Sequence, residues 1–274
     1  MVYARYGEVF RTLRQQKGLP IGYFEKMGIG KSYLSKFERG QTMFRFESLD
    51  MMLQEMNVSL AEYELLLNNF EIDYQEEFIE ELEEADYSQN IEALTSLYEI
   101  SKYSGYHWFS LITKSRLGRL EKNEAKEIVE FLSTITQYGY LELCLVYFCI
   151  DSLETSDMVQ ILLEFEKKSA NYYDIFKYRR RILATAYRAS IILSIRKEQR
   201  LSEIILKIAR KKAKRHDFFV RNLEKLAEGC YSYSFDNKAS GKEAIEQSLN
   251  NFKEFDSQIV SDYYRNKLQR LGNI

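Results

Sequence analysis

Residues Gly28 to Gly40 read GIGKSYLSKFERG. Two glycines make the front of this stretch a turn. A helix starting at Lys31 then sets Leu34 and Phe37 on one side, at i and i+3. The other side carries Lys31, Ser32, Tyr33, Ser35, Lys36 and Arg39, short hydroxyls and long bases with no acid before Glu38. A lysine can donate to O6 and N7 of guanine, and serines are short enough for the backbone to approach a groove. A merely solvated basic face has the same composition, so the flanking sequence must decide between the two.

On the N-terminal side, Tyr6, Val9, Phe10 and Leu13 recur at helical spacing, and Gly18 ends that helix just after Lys17. A second short helix is expected from about Pro20 to Met27, since proline is tolerated in a first turn. On the C-terminal side, Phe46, Leu49, Met52, Leu53 and Met56 mark a fourth helix. Ser59-Leu-Ala-Glu62 has the pattern of a capping box, and it opens a fifth helix carrying Leu60, Tyr63, Leu67 and Phe70. Five short helices, the second and third joined by a glycine turn, describe a helix-turn-helix domain over residues 1–70. The stretch Gly28–Gly40 is then its groove-entering helix, and double-stranded DNA is the expected partner.

Charge is segregated along the chain. Residues 1–46 hold nine bases and three acids, residues 47–101 hold 16 acids and no base, and residues 102–274 hold 30 bases and 22 acids. A basic head can attract phosphate, and an acidic collar confines that contact to the head. One proline and 12 glycines in 274 residues argue for an all-α protein, and 14% aromatic residues argue against a disordered one. The start Met-Val-Tyr-Ala-Arg-Tyr has no apolar run of a signal peptide, and no segment reaches the length of a membrane span. Three cysteines, Cys144, Cys149 and Cys230, fit buried thiols in a reducing cytosol. A cytoplasmic protein without membrane association is expected.

An enzyme is disfavoured. The two histidines, His107 and His216, lie outside any metal-ligand spacing, and there is neither a phosphate-cradling glycine loop nor a G-x-S-x-G turn. The acids of Glu76–Glu84 form a continuous run, not an isolated pair. No catalytic residue, cofactor or metal is expected.

From residue 71 onward helix follows helix, with breaks near Ser104-Gly105, Leu120–Asn123, Tyr138-Gly139, Asp151–Thr155, Lys197–Arg200, His216-Asp217 and Phe235–Gly241. Ala125, Ile128, Val129, Leu132 and Ile135 keep helical spacing, as do Leu201, Ile204, Ile205, Ile208 and Ala209. Ser240-Gly-Lys-Glu243 has the form of a capping box. Pairs recurring at 30–45 residues suit a tetratricopeptide-like solenoid over residues 71–274, with a plain helical bundle as the alternative. The basic run Lys207, Arg210, Lys211, Lys212, Lys214 and Arg215 reads first as a solvated helix face, then as a partner for the acidic collar or for DNA.

The head resembles the phage-repressor, or XRE/Cro-C1, class of helix-turn-helix domains. Gly7, Arg11, Leu13, Arg14, Lys17-Gly18-Leu19, Gly28-Ile29, Lys31-Ser32, Leu34-Ser35, Phe37-Glu38 and Gly40 carry the resemblance. It implies a structural pair between Arg14 and Glu38. It puts base reading at Lys31, Ser32 and Lys36, with Tyr33 and Arg39 where base or phosphate contacts fall. It departs at Pro20, Ile21 and Gly22, where the class has a Ser or Thr cap followed by a phosphate-binding Gln. A missing cap costs about 1 kcal/mol, so the second helix is expected to be weak.

Head and body together resemble the Rgg/GadR/MutR family of transcriptional regulators. The supporting stretches are Ser35–Gly40, Gln137–Leu143, Gly241-Lys-Glu-Ala and Tyr263-Tyr-Arg265. The resemblance implies a homodimer whose repeats form a pocket for a short signalling peptide, in quorum sensing. It puts candidate pocket residues at Tyr147, Phe148 and Asp151 on one helix, at Arg181, Tyr187 and Arg188 on another, and at Tyr233. Arginine can clamp a ligand carboxylate, although each of these residues is as readily read as core or solvated surface. The intersubunit cysteine of some members has no counterpart between Met43 and Ser48, and no asparagine stands at 147–151 or 184–191. A scaffold whose repeats bind a protein partner, with no peptide ligand, is the other reading.

Overall fold

The computed structural model describes residues 4–69, 74–212 and 217–269. Among them are fifteen α-helices and no strand. The chain divides into two compact units, Met1–Glu77 and Phe78–Ile274.

The first unit contains α1 (Ala4–Gln16), α2 (Lys31–Glu38), α3 (Phe46–Glu55), α4 (Leu60–Leu67) and the start of α5 (Tyr74–Tyr87). Its core is aromatic at the centre. Phe10, Phe24, Leu34 and Phe37 are fully buried, and the Phe10 ring lies 5.8 Å from Phe24 and 5.6 Å from Phe37. Gly7 lets α1 and α2 touch, because a Cβ there would stand 1.9 Å from the Phe37 carbonyl oxygen. Tyr63 donates to the Tyr6 carbonyl at 2.6 Å and closes α4 onto α1. Ser59 caps α4 by accepting from the Glu62 amide at 3.1 Å. Phe70, expected on that helix, lies outside the described residues.

The segment expected as a second α-helix is a single 3-10 stretch, Tyr23–Met27. Its N-cap, Gly22, has no side chain to accept an amide, and the Tyr23 and Glu25 amides turn instead to the Pro20 and Gly22 carbonyls at 2.9 and 3.2 Å, the tighter spacing of a 3-10 turn. It stays in place through Phe24 and through Glu55, which accepts from the Tyr23 hydroxyl at 2.8 Å and from Lys26 at 2.5 Å. Gly28 then reverses the chain at φ 78°, a left-handed conformation that glycine adopts without a Cβ penalty.

The second unit, a TPR-like helical body, is built from the rest of α5, α6 (Ile91–Tyr103), α7 (His107–Arg116), α8 (Lys122–Thr134), α9 (Tyr140–Cys149), α10 (Thr155–Ser169), α11 (Phe176–Ile195), α12 (Gln199–Lys212), α13 (Phe218–Phe235), α14 (Lys238–Phe255) and α15 (Gln258–Leu268). Successive helices pack as pairs, α6 on α7, α11 on α12 and α13 on α14. The α13–α14 pair is closest where Gly241 meets the Tyr233 backbone, leaving 2.2 Å between a Cβ and the Tyr233 nitrogen. The Ser240–Glu243 pattern does not open α14. The helix begins one turn earlier, because the Asn237 side chain accepts from the Ser240 amide at 3.0 Å and supplies the cap itself. α9 is buried nearly all round, from Leu143 to Cys149, and carries the functional question of this unit.

Candidate functional site

In the first unit α2 is fixed from behind. Arg14 of α1 donates Nε and Nη2 to the Glu38 carboxylate at 2.6 and 2.9 Å, and its Nη1 to the Leu19 carbonyl at 2.6 Å. Both side chains are buried, and each of the three guanidinium nitrogens has an acceptor, the condition under which a buried ion pair is tolerated. One side chain thus ties the end of α1, the following turn and the end of α2 together.

The outer face of α2 presents Lys31, Ser32, Tyr33, Lys36 and Arg39 as exposed residues, with Ser35 half-buried. They differ in freedom. Tyr33 donates to the Met43 carbonyl at 2.9 Å and sets its ring edge-on to Phe44 at 4.6 Å, so it braces the loop after α2. Arg39 donates to the Ser35 hydroxyl at 2.8 Å. Lys31 lies 3.1 Å from the Glu25 carboxylate. Ser32 and Lys36 have no such partner among the described residues.

In the second unit the seven candidate pocket residues divide. Tyr147, Phe148, Arg181, Tyr187, Arg188 and Tyr233 are buried, and Asp151 is half-buried. Five of them meet at one charged centre. Asp151, just past α9, accepts from Arg116 at 2.7 Å, Arg188 at 3.0 Å and Lys267 at 2.6 Å. Arg116 also donates to Asp86 at 2.8 Å and to the Phe148 carbonyl at 2.7 Å, and Tyr263 donates to Asp86 at 2.9 Å. The Tyr147 ring lies beneath the Arg181 and Arg188 guanidinium groups, at 4.6 and 4.9 Å. Arg181 turns to Glu83 in a two-pronged pair at 2.9 and 3.0 Å. Tyr187 and Tyr233 are not part of this centre. The charge acting most on Tyr187 is Glu224 of α13, and Tyr233 packs on Gly241 beneath the Lys238 ammonium.

The electrostatics follow from crowding three cations on two carboxylates. Burial pushes the Asp151 carboxyl upward, but Arg188, Arg116 and Lys267 outweigh it and hold it well below the usual range. Burial and the neighbouring Arg188 push Lys267 down to about 8, which its pairing with Asp151 offsets only in part. Arg188 directs one nitrogen to Asp151, and its buried Nη1 has no partner among the described residues.

Sequence reasoning missed Asp86, Arg116, Lys267, Tyr263 and Glu83. Asp86 and Glu83 sit in an acidic run that reads as solvated, and nothing local separates them from their neighbours. Tyr263 stands in a stretch that carried the family resemblance, the only signal pointing toward it. In the basic run, Lys207 pairs with Glu203 at 2.5 Å, and Arg210 pairs with Glu228 and stands 3.7 Å from Glu224. Lys214 and Arg215 lie outside the described residues. The three cysteines are fully buried free thiols.

The family model for the C-terminal domain of the HTH-type transcriptional regulator Rgg matches residues 101–266, more than half of the chain, and a helix-turn-helix model matches residues 10–63. The fold is similar to that of the SHP pheromone receptor Rgg2 of Streptococcus dysgalactiae, with a TM-score of 0.79 at 18% identity over 96% of this chain and 99% of that one. It is also similar to PrgX in its complex with cCF10, with a TM-score of 0.68 at 14% identity over 97% of this chain and 92% of that one. Among the described residues no helix is long and apolar enough to cross a membrane.

Proposed function

This chain belongs to the Rgg family of helix-turn-helix transcriptional regulators, and on that premise we propose that its body binds a short signalling peptide and thereby changes how two heads, held in a homodimer, engage promoter DNA. The observation that carries the peptide reading is the charged centre. A buried cluster with one cation in excess and an unpartnered Arg188 nitrogen supports a ligand carboxylate as the missing acceptor. Lys267, whose side chain is 32% exposed, is the member such a ligand meets first. Rgg2 and PrgX, with which this fold is shared, are described as a pheromone receptor and as a complex with cCF10.

DNA is read by α2, with Lys31, Ser32 and Lys36 at base edges and Arg39 at phosphate. Tyr33 serves the interface by bracing the loop behind it. One head has a small footprint, so specificity requires two heads on two half-sites. A peptide shifts the outcome only by binding one dimer state better than the other. The protein acts in the cytoplasm and has no enzymatic role in this reading.

Two measurements test it. Electrophoretic shift on the DNA upstream of the gene is expected to lose at least about tenfold in affinity with Lys31→Ala plus Lys36→Ala, and full retention removes α2 from the interface. Calorimetry with short peptides encoded beside the gene is expected to show binding that weakens with Lys267→Met. No binding by any of them favours a scaffold that takes a protein partner.

A further inference from the structure

Lys31 does not project freely from α2. Its ammonium lies 3.1 Å from Glu25 Oε2, so the side chain folds back over the 3-10 turn. Gly22 provides the seat. A Cβ there would stand 2.3 Å from Lys31 Cε, 3.2 Å from Lys31 Nζ and 3.3 Å from Glu25 Oε2. The Gly22 backbone, at φ −84° and ψ 0°, is in the ordinary right-handed region. Its conformation does not require glycine, but a Cβ would push the ends of the Lys31 and Glu25 side chains out of this seat.

We propose that Gly22 and Glu25 form a latch that holds Lys31 away from DNA phosphates, and that only a base edge able to take the ammonium as a partner releases it. The proposal rests on α2 being the groove-entering helix. Its logic is a comparison of small quantities. An exposed ion pair shifts an equilibrium by about two- to fivefold. A single phosphate contact made by one lysine is of the same order and merely balances the latch, whereas a good guanine contact is worth about five- to 150-fold and overcomes it. Glu25 thereby lowers affinity for arbitrary sequence more than for a matched one, so it sets specificity without touching a base. Lys36, which has no ion-pair partner among the described residues, stays available to any sequence.

The test measures binding of the full chain to a labelled duplex of random sequence by fluorescence anisotropy across a salt series. Gly22→Ala and Glu25→Gln are each expected to tighten binding about two- to fivefold and to steepen the log affinity against log salt slope by about one. Lys31→Ala alone is expected to change affinity by less than about twofold, because the latch already withholds that lysine from phosphate. Both gains are expected to vanish when Lys31→Ala is added. Gly22→Ala alters no charge, so its gain separates a latch from the plain repulsion of phosphate by Glu25. Unchanged affinity and slope in Gly22→Ala overturn the latch, as does a Glu25→Gln gain that survives Lys31→Ala. If the wild-type chain binds no duplex at about 50 mM salt, the groove-helix reading falls and the latch falls with it. Wild-type binding with inert variants overturns the latch alone.

Discussion

Replacing Asp151 with alanine should unlock the body from its centre. The carboxylate holds three cations, Arg116, Arg188 and Lys267, at 2.7, 3.0 and 2.6 Å. Their fates differ once it is gone. Arg116 keeps Asp86 and the Phe148 carbonyl. Lys267, 32% exposed at its side chain, can turn to water. Arg188 can do neither. It is 4% exposed; it keeps the Tyr147 ring at 4.9 Å and lies near Asp86, but it has no other hydrogen-bonding carboxylate among the described residues. Stranding a buried charge in this way costs about 3–5 kcal/mol. For a unit of this size about 2–4 °C is lost per kcal/mol, so the unfolding midpoint should fall by roughly 6–20 °C. Trp108, the one tryptophan of the chain, reports it, since it lies on α7 with Arg116 and stacks on Phe131 at 4.0 Å. Thermal melts followed by its fluorescence are the assay. Adding Arg188→Met to Asp151→Ala removes the stranded charge and should recover most of the loss. A drop of less than about 2 °C in Asp151→Ala, on the same scale, or no recovery in the double variant, refutes the stranded-charge reasoning.

Other outcomes follow from the same physical reasoning. Gly7→Ala forces a Cβ against the Phe37 carbonyl at 1.9 Å and should destabilise the head by about 1–3 kcal/mol, seen as an early transition in circular dichroism melts and as lost DNA binding. Arg14→Ala leaves Glu38 buried and unpaired, and about 3–5 kcal/mol should be lost from the same transition. Lys267 titrates at about 8 folded against 10.5 ordinarily, so between those values the unfolded chain binds the extra proton and stability from this group rises with pH. Unfolding midpoints between those two pH values should therefore climb more in the wild type than in Lys267→Met. Burial raises the Cys149 thiol to about 12 and Cys144 to about 11, so their contribution has the opposite sign, complete below 9.0 and lost as pH rises through the folded values. Thiol-reactive dye should accordingly label the native protein only at its rate of opening, and fast labelling would show that these thiols are not in the core.

The head was legible because its signals are local. Gly18, Gly28 and the Leu34/Phe37 stripe act within one or two turns of chain, and each of them stands where the spacing puts it. The 3-10 stretch at Tyr23–Met27 was legible only as a weakness, from the uncapped Pro20–Gly22. Its final form depended on Glu55, 32 residues from Tyr23. The Asn237 cap shows a finer limit. Ser240-Gly-Lys-Glu243 matched a local start signal, but α14 starts at Lys238, where the Asn237 side chain accepts from the Ser240 amide.

The sequence by itself determined that the chain is helical, that a helix-turn-helix head precedes a longer helical body, and which face of α2 is polar. Those properties depend on periodicity and on neighbours a few residues apart. Tertiary structure alone decided which charges of the body meet. Tyr263 and Asp86 are 177 residues apart, Lys267 and Asp151 116 apart. An aspartate in an acidic run and an arginine at a helix end carry no local mark of burial. Their ionisation and their partners are set by the cations and dielectric that folding brings around them. The same holds at Gly28–Gly40. The helix was readable from its residues, but that Lys31 lies folded onto Glu25 over Gly22 is a property of the assembled turn.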